Sequence, residues 1–384
     1  MIEPTEEQRQ IIDTVSRFCE KEVVPFAEQI EEQDDLPEGI WRKMGDLGLL
    51  GIAIPEKYGG IGGDLMTAVL AIKALRGSSG LALSYGAHLN LCAHNLLRTG
   101  SEQQRMKYLP KLASGEWIGA LGLTEPGAGS DATAVRTTAV RDGDDYILNG
   151  TKTFITNAPI ADVVLLYAKT NPEAGPMGIT AFIIERGMEG FTTPGRLKKM
   201  GHHGSPTGEI VLTDCRVPKE NVIGAENMGV AVLMAGLDVE RAFFAGAAIG
   251  MAEVAFDLAL AYAKEREQFG RPLSKFQLIQ AKLADMYTRI EAAQGLSMRA
   301  VEAAQSLERG GKGTDIHLLA ASALLFAAET AEFVVYEAVQ IHGGYGYMEE
   351  YEICRLQRDV RLFTIGAGTT EIRKLVIARE LLGM

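Results

Sequence analysis

The stretch Gly236-Leu237-Asp238-Val239-Glu240-Arg241 constrains this chain most, because it interrupts a long apolar run from Val230 to Ala263 whose spacing reads as one buried helix. Ala, Leu, Met and Phe surround the two carboxylates, so whatever fold the chain adopts must enclose them along with the helix. Burial disfavours a charged carboxylate and moves its pKa toward neutrality. A glutamate in that state can take a proton from a weak carbon acid near neutral pH. The alternative is that Asp238 and Glu240 form ion pairs at a helix crossing, the commoner fate of such residues. The helix alone does not choose between them.

At 384 residues the chain can hold two or three domains with an ample core. A net charge of -12 argues against nucleic acid and against an anionic membrane surface as partners. Cys19, Cys92, Cys215 and Cys354 are scattered without metal-ligand spacing and read as reduced thiols. His202-His203 is no better a metal site, since adjacent side chains do not share a face and no third ligand is evident, so no metal is expected. The acidic start, Met1 to Glu7, suits neither a secretory signal nor a transit peptide. Asp238, Glu240 and Arg241 break the best candidate for a membrane span. A cytoplasmic enzyme is expected.

Three regions follow one another. Residues 1–115 are helical in spacing, opening on Thr5 as N-cap with Gln8 in the capping-box position, followed by helices at about Met66 to Ser78 and Leu81 to Arg98. Residues 116–225 read as strands punctuated by Gly and Pro: two around the turn at Asp142-Gly143, then Thr151 to Ile155, Val163 to Lys169, Ile179 to Glu185 and Glu209 to Thr213. Residues 226–384 carry four helices, Val230 to Arg266, Lys275 to Arg309, Asp315 to His342 and Glu371 to Leu382, which describe an antiparallel bundle. The expected class is α+β: an all-α N-terminal domain, a central barrel-like or sandwich β domain, and a C-terminal four-helix bundle.

Leu121-Gly122-Leu123-Thr124-Glu125-Pro126-Gly127-Ala128-Gly129-Ser130 is a Gly-rich loop whose backbone a ligand could approach closely, although an ordinary surface loop would look the same. Phe154-Ile155-Thr156 sets an aromatic face beside a hydroxyl, as a planar cofactor ring requires, or places a core Phe in a strand. Gln340-Ile341-His342-Gly343-Gly344 closes a helix, and Gly366-Ala367-Gly368-Thr369-Thr370-Glu371 opens one. Helix capping explains both without a ligand, although helix N-termini do bind anions.

These segments, with Arg266-Glu267-Gln268-Phe269-Gly270, occur in the order and spacing of the acyl-CoA dehydrogenase family, which the chain resembles from end to end. The resemblance implies that fold, one FAD per subunit and a homotetramer built as a dimer of dimers. It implies that Leu121, Leu123, Thr124, Gly129, Ser130, Phe154, Ile155 and Thr156 cradle the flavin. Arg266, Phe269, Gln277, Gln340, Ile341, Gly343 and Gly344 would reach a neighbouring subunit's FAD, with Thr369, Thr370 and Glu371 also on the cofactor. Ser130, Asp238, Val239, Arg241, Ala367 and Gly368 would meet the substrate.

In most of the family a Glu precedes the Gly-Thr of the last turn, where this chain has Ala367. The isovaleryl-CoA dehydrogenase branch carries its base on the first bundle helix, in a Leu-Asp-x-Glu-Arg run onto which Glu240 falls. Leu83-Ser84-Tyr85-Gly86-Ala87-His88 is similar to that branch too. The resemblance therefore implies that Glu240 takes the α-proton of an acyl-CoA while the β-hydrogen leaves as hydride to flavin N5, giving a trans-2-enoyl-CoA, with the flavin and a backbone N–H at or near Glu371 stabilising the thioester oxygen. An electron-transferring flavoprotein would be the oxidant, and fatty-acid or branched-chain amino-acid breakdown the setting. Phe154 stands where Trp is frequent, His203 where an Arg is usual, Ala231 where a bulkier residue occurs, and Ala242-Phe243-Phe244 replaces an aliphatic run. Those departures leave longer, branched or aryl-bearing acyl groups open as alternatives to an isovaleryl-like one. A nucleic-acid-binding member of the family is a further alternative, disfavoured by the acidic charge.

Overall fold

The computed structural model describes residues 4–310 and 315–384; Met1, Ile2 and Glu3 of the acidic start lie outside the described residues. A helical N-terminal domain, a central sheet domain and a C-terminal helical domain follow in chain order. Thr5 and Gln8 exchange side-chain and backbone hydrogen bonds across the first turn of helix Glu6–Glu22, closing a capping box. The helix expected from about Leu81 to Arg98 runs without a break through Ser79–Gly86, Ala87–His94 and Asn95–Thr99, but its middle third is π-helical. Such widened turns recur at functional sites.

The central domain is one sheet of eight strands: β1 (Gly119–Gly122), β2 (Thr138–Asp142), β3 (Asp145–Thr156), β4 (Val163–Lys169), β5 (Ile179–Glu185), β6 (Phe191–Thr192), β7 (Thr207–Pro218) and β8 (Val222–Ile223). Their order is β6-β7-β3-β2-β4-β5-β8, with β1 joined in parallel to β4, and the sheet does not close into a barrel. Two strands expected on either side of Gly150 are in fact one. β3 passes through a register shift between Leu148 and Gly150, where a Cβ on Gly150 would sit 2.4 Å from Thr137 Oγ1. A second shift, between Lys152 and Ile155, coincides with a left-handed Phe154 (φ 59°) and turns that ring out of the sheet.

The four expected bundle helices are present as Gly229–Glu265, Gln277–Glu308, Ile316–His342 and Thr370–Leu382, with a further short helix at Glu352–Asp359. Gly229–Glu265 and Ile316–Tyr347 are long and apolar enough to cross a bilayer, yet more than half of the apolar window of each is buried inside the protein. One hydrophobic cluster joins the N-terminal helices to the bundle, through Val15, Phe18, Val69 and Ile72 on one side and Ala242, Phe243, Ala248 and Ala252 on the other. Glycines set the close approach. A Cβ on Gly246 would meet Val69 Cγ1 at 2.8 Å, and one on Gly250 would meet the Lys73 carbonyl oxygen at 2.4 Å. Backbone cannot yield there as a flexible side chain could. Gly250→Ala should therefore destabilise the fold by about 1–3 kcal/mol, the usual range for overpacking, read as a lower midpoint in urea unfolding. An unchanged midpoint would show that the two helices separate freely.

Candidate active site

Glu240 lies in the N-terminal third of the first bundle helix, between buried Val239 and Arg241. Among the described residues no side chain donates a hydrogen bond to its carboxylate. Burial pushes its pKa up from 4.5 to about 7, against the opposing pull of Arg241 and then Arg373. The charge of Glu240 in turn adds to the effect of burial in raising the pKa of the fully buried Tyr167 on β4. Asp238, two residues away, meets the other fate. Its carboxylate takes an ion pair from Arg241 at 3.1 Å and faces His317 Nδ1 at 2.5 Å. Of the two carboxylates, Asp238 is ion-paired and, among the described residues, Glu240 is not.

The turn before the last helix comes to the same place. Arg373, 1% exposed, donates to the carbonyl oxygen of Gly366 and bears on Glu240 electrostatically. Its Nε and Nη1 have no hydrogen-bond partner, and burial lowers its pKa to about 10. Ala367 and Gly368 both hold positive φ, 54° and 85°. A left-handed alanine costs roughly 1–2 kcal/mol, and such strain concentrates at functional sites. Thr369 caps the helix by accepting from Ile372 N, Thr370 donates to the Thr364 carbonyl, and Glu371 is exposed in the first turn. Arg373 was missed in the sequence; its only signal is the spacing of four from the Thr369 cap, which turns it inward.

The Gly-rich loop is held onto β3: Thr153 N donates to Thr124 O, and Lys152 Nζ reaches Leu123 O and Glu125. Gly127, Gly129 and Ser130 are exposed, and no protein atom lies within 4 Å of a Cβ on either glycine. Leu121 and Leu123 pack partly on the core. Phe154 presents its ring to the outside at 69% exposure beside the loop, whereas Ile155 is buried and Thr156 pairs with Thr207 in the sheet. The Phe154 ring and the two glycines are thus both open to the outside, on segments joined by the Thr153–Thr124 bond.

Arg266 and the Gln340–Gly344 turn form a second, exposed face. The Arg266 guanidinium stacks 5.5 Å from the centroid of Tyr345, just past that turn. Gly343 ends the helix in a positive φ, Ile341 is buried, and Gln340, Gly344 and Gln277 are exposed. Phe269 stands 92% exposed. His202 binds the carbonyl of Ser79 and His203 faces Glu31, which also holds Arg358.

Comparison with known proteins gives three family models matching in series: the acyl-CoA dehydrogenase N-terminal domain over residues 5–116, the middle domain over 120–215 and the C-terminal domain over 227–382. The mitochondrial isovaleryl-CoA dehydrogenase of Solanum tuberosum is 44% identical, over 97% of this chain and 90% of that one. Butyryl-CoA dehydrogenase from Megasphaera elsdenii has a similar structure, with TM-score 0.95 and 40% identity over the whole of both chains. An acyl-CoA dehydrogenase complexed with FAD from Bacillus anthracis aligns at TM-score 0.92 and 36% identity, over 99% of this chain and 67% of that one.

Glu240 should titrate with a midpoint near 7, seen as the carboxyl stretch in infrared difference spectra that disappears in Glu240→Gln. The cation of Arg373 favours the ionised form, so Arg373→Met should move that midpoint upward. A midpoint near 4.5 in the parent protein would contradict the buried environment.

Proposed function

The chain belongs to the acyl-CoA dehydrogenase family of flavin-dependent oxidoreductases, and from that premise we propose that it uses FAD to desaturate a short branched acyl-CoA, isovaleryl-CoA first, between its α and β carbons. The observation that carries the proposal is Glu240: a carboxylate without a hydrogen-bonding side chain, raised to about 7 by burial, beside a turn that holds Ala367 where most relatives hold their base.

The FAD assignment is supported by the open backbone at Gly127 and Gly129 and the outward ring of Phe154. Leu121, Leu123, Thr124, Gly129, Ser130, Phe154, Ile155 and Thr156 would hold it. Arg266, Phe269, Gln277, Gln340, Ile341, Gly343 and Gly344 would serve the cofactor of a neighbouring subunit. The exposed apolar side chains of Phe269 and Leu278, 92% and 81% accessible, are consistent with burial between subunits of a dimer of dimers. When bound, the flavin supplies the two-electron acceptor that takes the β-hydrogen as hydride.

The chain's own part is to remove the α-proton. Glu240 accepts it at a carboxylate oxygen, with a pKa close to ambient pH, so a substantial share of the base is ionised at rest and it is strong enough to act. Arg241 and Arg373 keep it from being neutralised altogether by its surroundings. A backbone N–H at or near Glu371 would donate to the thioester oxygen, which makes the α-carbon acidic. An electron-transferring flavoprotein is the proposed oxidant.

The choice of a short acyl group is supported by Phe244. Glu240 and Phe244 lie one helical turn apart on one face. In the other direction Gly236 is closed by Asn95, whose Oδ1 would meet a Cβ there at 2.4 Å. An apolar chain would extend the apolar way, toward the Phe244 ring, which closes over Gly86 so tightly that a Cβ there would lie 2.6 Å from Cζ. Behind the ring is a cavity of about 30 Å³ walled by Ile72, Leu83, Ala247 and Met251.

Glu240→Gln should bind FAD and substrate but lose flavin reduction by roughly 10²–10⁴-fold or more, measured by stopped-flow absorbance. Moving the carboxylate, as Glu240→Gly with Ala367→Glu, should restore part of the rate. Reduction of Glu240→Gln at close to the parent rate would leave Glu240 a structural residue.

Across a panel of acyl-CoA thioesters with a dye acceptor, isovaleryl-CoA should have the highest kcat/KM, and Phe244→Ala should shift the ratio of octanoyl-CoA to isovaleryl-CoA by roughly tenfold or more. A higher kcat/KM for palmitoyl-CoA or glutaryl-CoA in the parent protein would overturn the short-chain assignment.

A further inference from the structure

Lys152 is fully buried, and a buried ammonium needs a reason. Its Nζ lies 2.7 Å from Glu125 Oε1 and 3.2 Å from the carbonyl oxygen of Leu123. Glu125, 7% exposed, is the one acid in the Leu121–Ser130 loop. Its Oε1 also accepts from Thr137 N at 3.0 Å and Thr137 Oγ1 at 2.5 Å, while Oε2 accepts from Arg136 N at 2.6 Å. Burial would push this carboxyl up, but Lys152 and the other donors outweigh it and hold it below the ordinary range. Burial lowers the Lys152 ammonium to about 8, with Glu125 alone opposing.

The pair joins three pieces of chain. Lys152 belongs to β3, two residues before the outward Phe154. Arg136 and Thr137 lead into β2. Glu125 opens a tight turn in which it and Ala128 exchange backbone hydrogen bonds of 3.1 and 3.0 Å, with Pro126 and Gly127 between. Thr153 N adds a bond to Thr124 O at 2.9 Å. Past the pairing of Leu121 and Gly122 with β4, the tethers of the loop run through Leu123, Thr124, Glu125 and Ala128, and the far side, at Gly127, Gly129 and Ser130, is open.

We infer that the Lys152–Glu125 ion pair is a positioning latch: it touches no ligand itself, but fixes the Gly-rich loop against β3 in the one shape that, with Phe154, retains FAD. The inference rests on the reading that this loop cradles the flavin. Two charges buried for stability alone are a poor bargain, since desolvation commonly cancels their attraction. A pair that selects one loop geometry has a different use, because a preformed cradle spares the ligand the ordering entropy of the loop.

The test is FAD binding by the full-length apoprotein, followed by flavin fluorescence quenching, with the flavin absorption spectrum and the apoprotein melting curve recorded alongside. Lys152→Met leaves Glu125 buried without its counter-charge and should weaken FAD binding by about tenfold or more. Glu125→Asp keeps the charge but withdraws it by one methylene; it should weaken binding severalfold and shift the flavin spectrum while the apoprotein melts as the parent does. It also decides the matter if Lys152→Met does not fold. Glu125→Gln combined with Lys152→Met removes both charges and should recover part of the lost affinity, because no uncompensated buried charge remains. Parent-like affinity and spectrum in Glu125→Asp overturn the latch, as does a double variant no tighter than Lys152→Met. A parent apoprotein that binds no FAD would instead overturn the flavin reading itself.

Discussion

The enclosure of the helix Gly229–Glu265 is the constraint on which the rest depends. Its apolar surface continues around most of its circumference, and Ala242, Ala245, Ala248 and Ala252 are fully buried. The N-terminal helices cover one side through the Val69 and Ile72 contacts, and the other bundle helices cover the rest. Small residues at Gly246 and Gly250 let backbone meet backbone, so there is little slack along that seam. A carboxylate carried by such a helix is largely withdrawn from solvent, and its raised pKa is a consequence of packing rather than of any special partner.

Two carboxylates two residues apart show how closely environment decides chemistry. Asp238 points toward Arg241 and the half-exposed His317 and is spent on an ion pair. Glu240 points between β4 and the Gly366–Thr369 turn, where Tyr167 and Arg373 bear on it without bonding to it. The same helix thereby holds a structural acid and an available one. Arg373 ties the arrangement together: tethered to Gly366, it keeps the strained Ala367 turn beside Glu240.

The central domain uses polar burial in the opposite way. Lys152 and Glu125 satisfy one another; Glu125 also accepts three further hydrogen bonds and Lys152 donates to the Leu123 carbonyl, and the loop they anchor ends in open glycines. Around Glu240 several polar atoms, Tyr167 Oη and Arg373 Nε and Nη1 among them, have no hydrogen-bond partner among the described residues. Around Glu125 they are saturated, which suits a part that must not move.

The sequence alone determined the order of helical, β and helical regions, because periodicity of apolar residues is local and survives without tertiary information. The capping box at Thr5 and Gln8, the β4 and β5 ranges, and the four long bundle helices were all legible for that reason. Glu240 stood out from its apolar context, but that context could not separate it from Asp238. Which of the two pairs and which stays available depends on what packs against each face, and that came from His317, Arg373 and Tyr167, all distant in the chain. The single bent β3, the open sheet and the π-helical turn at Ala87–His94 were likewise decided by tertiary contact: Thr137 against Gly150, strand pairing across long separations, and packing on the first bundle helix. Long-range pairing leaves no periodic trace in either partner, so residues such as Lys152, Glu125 and Phe244 acquire their meaning only once the chain has brought them together.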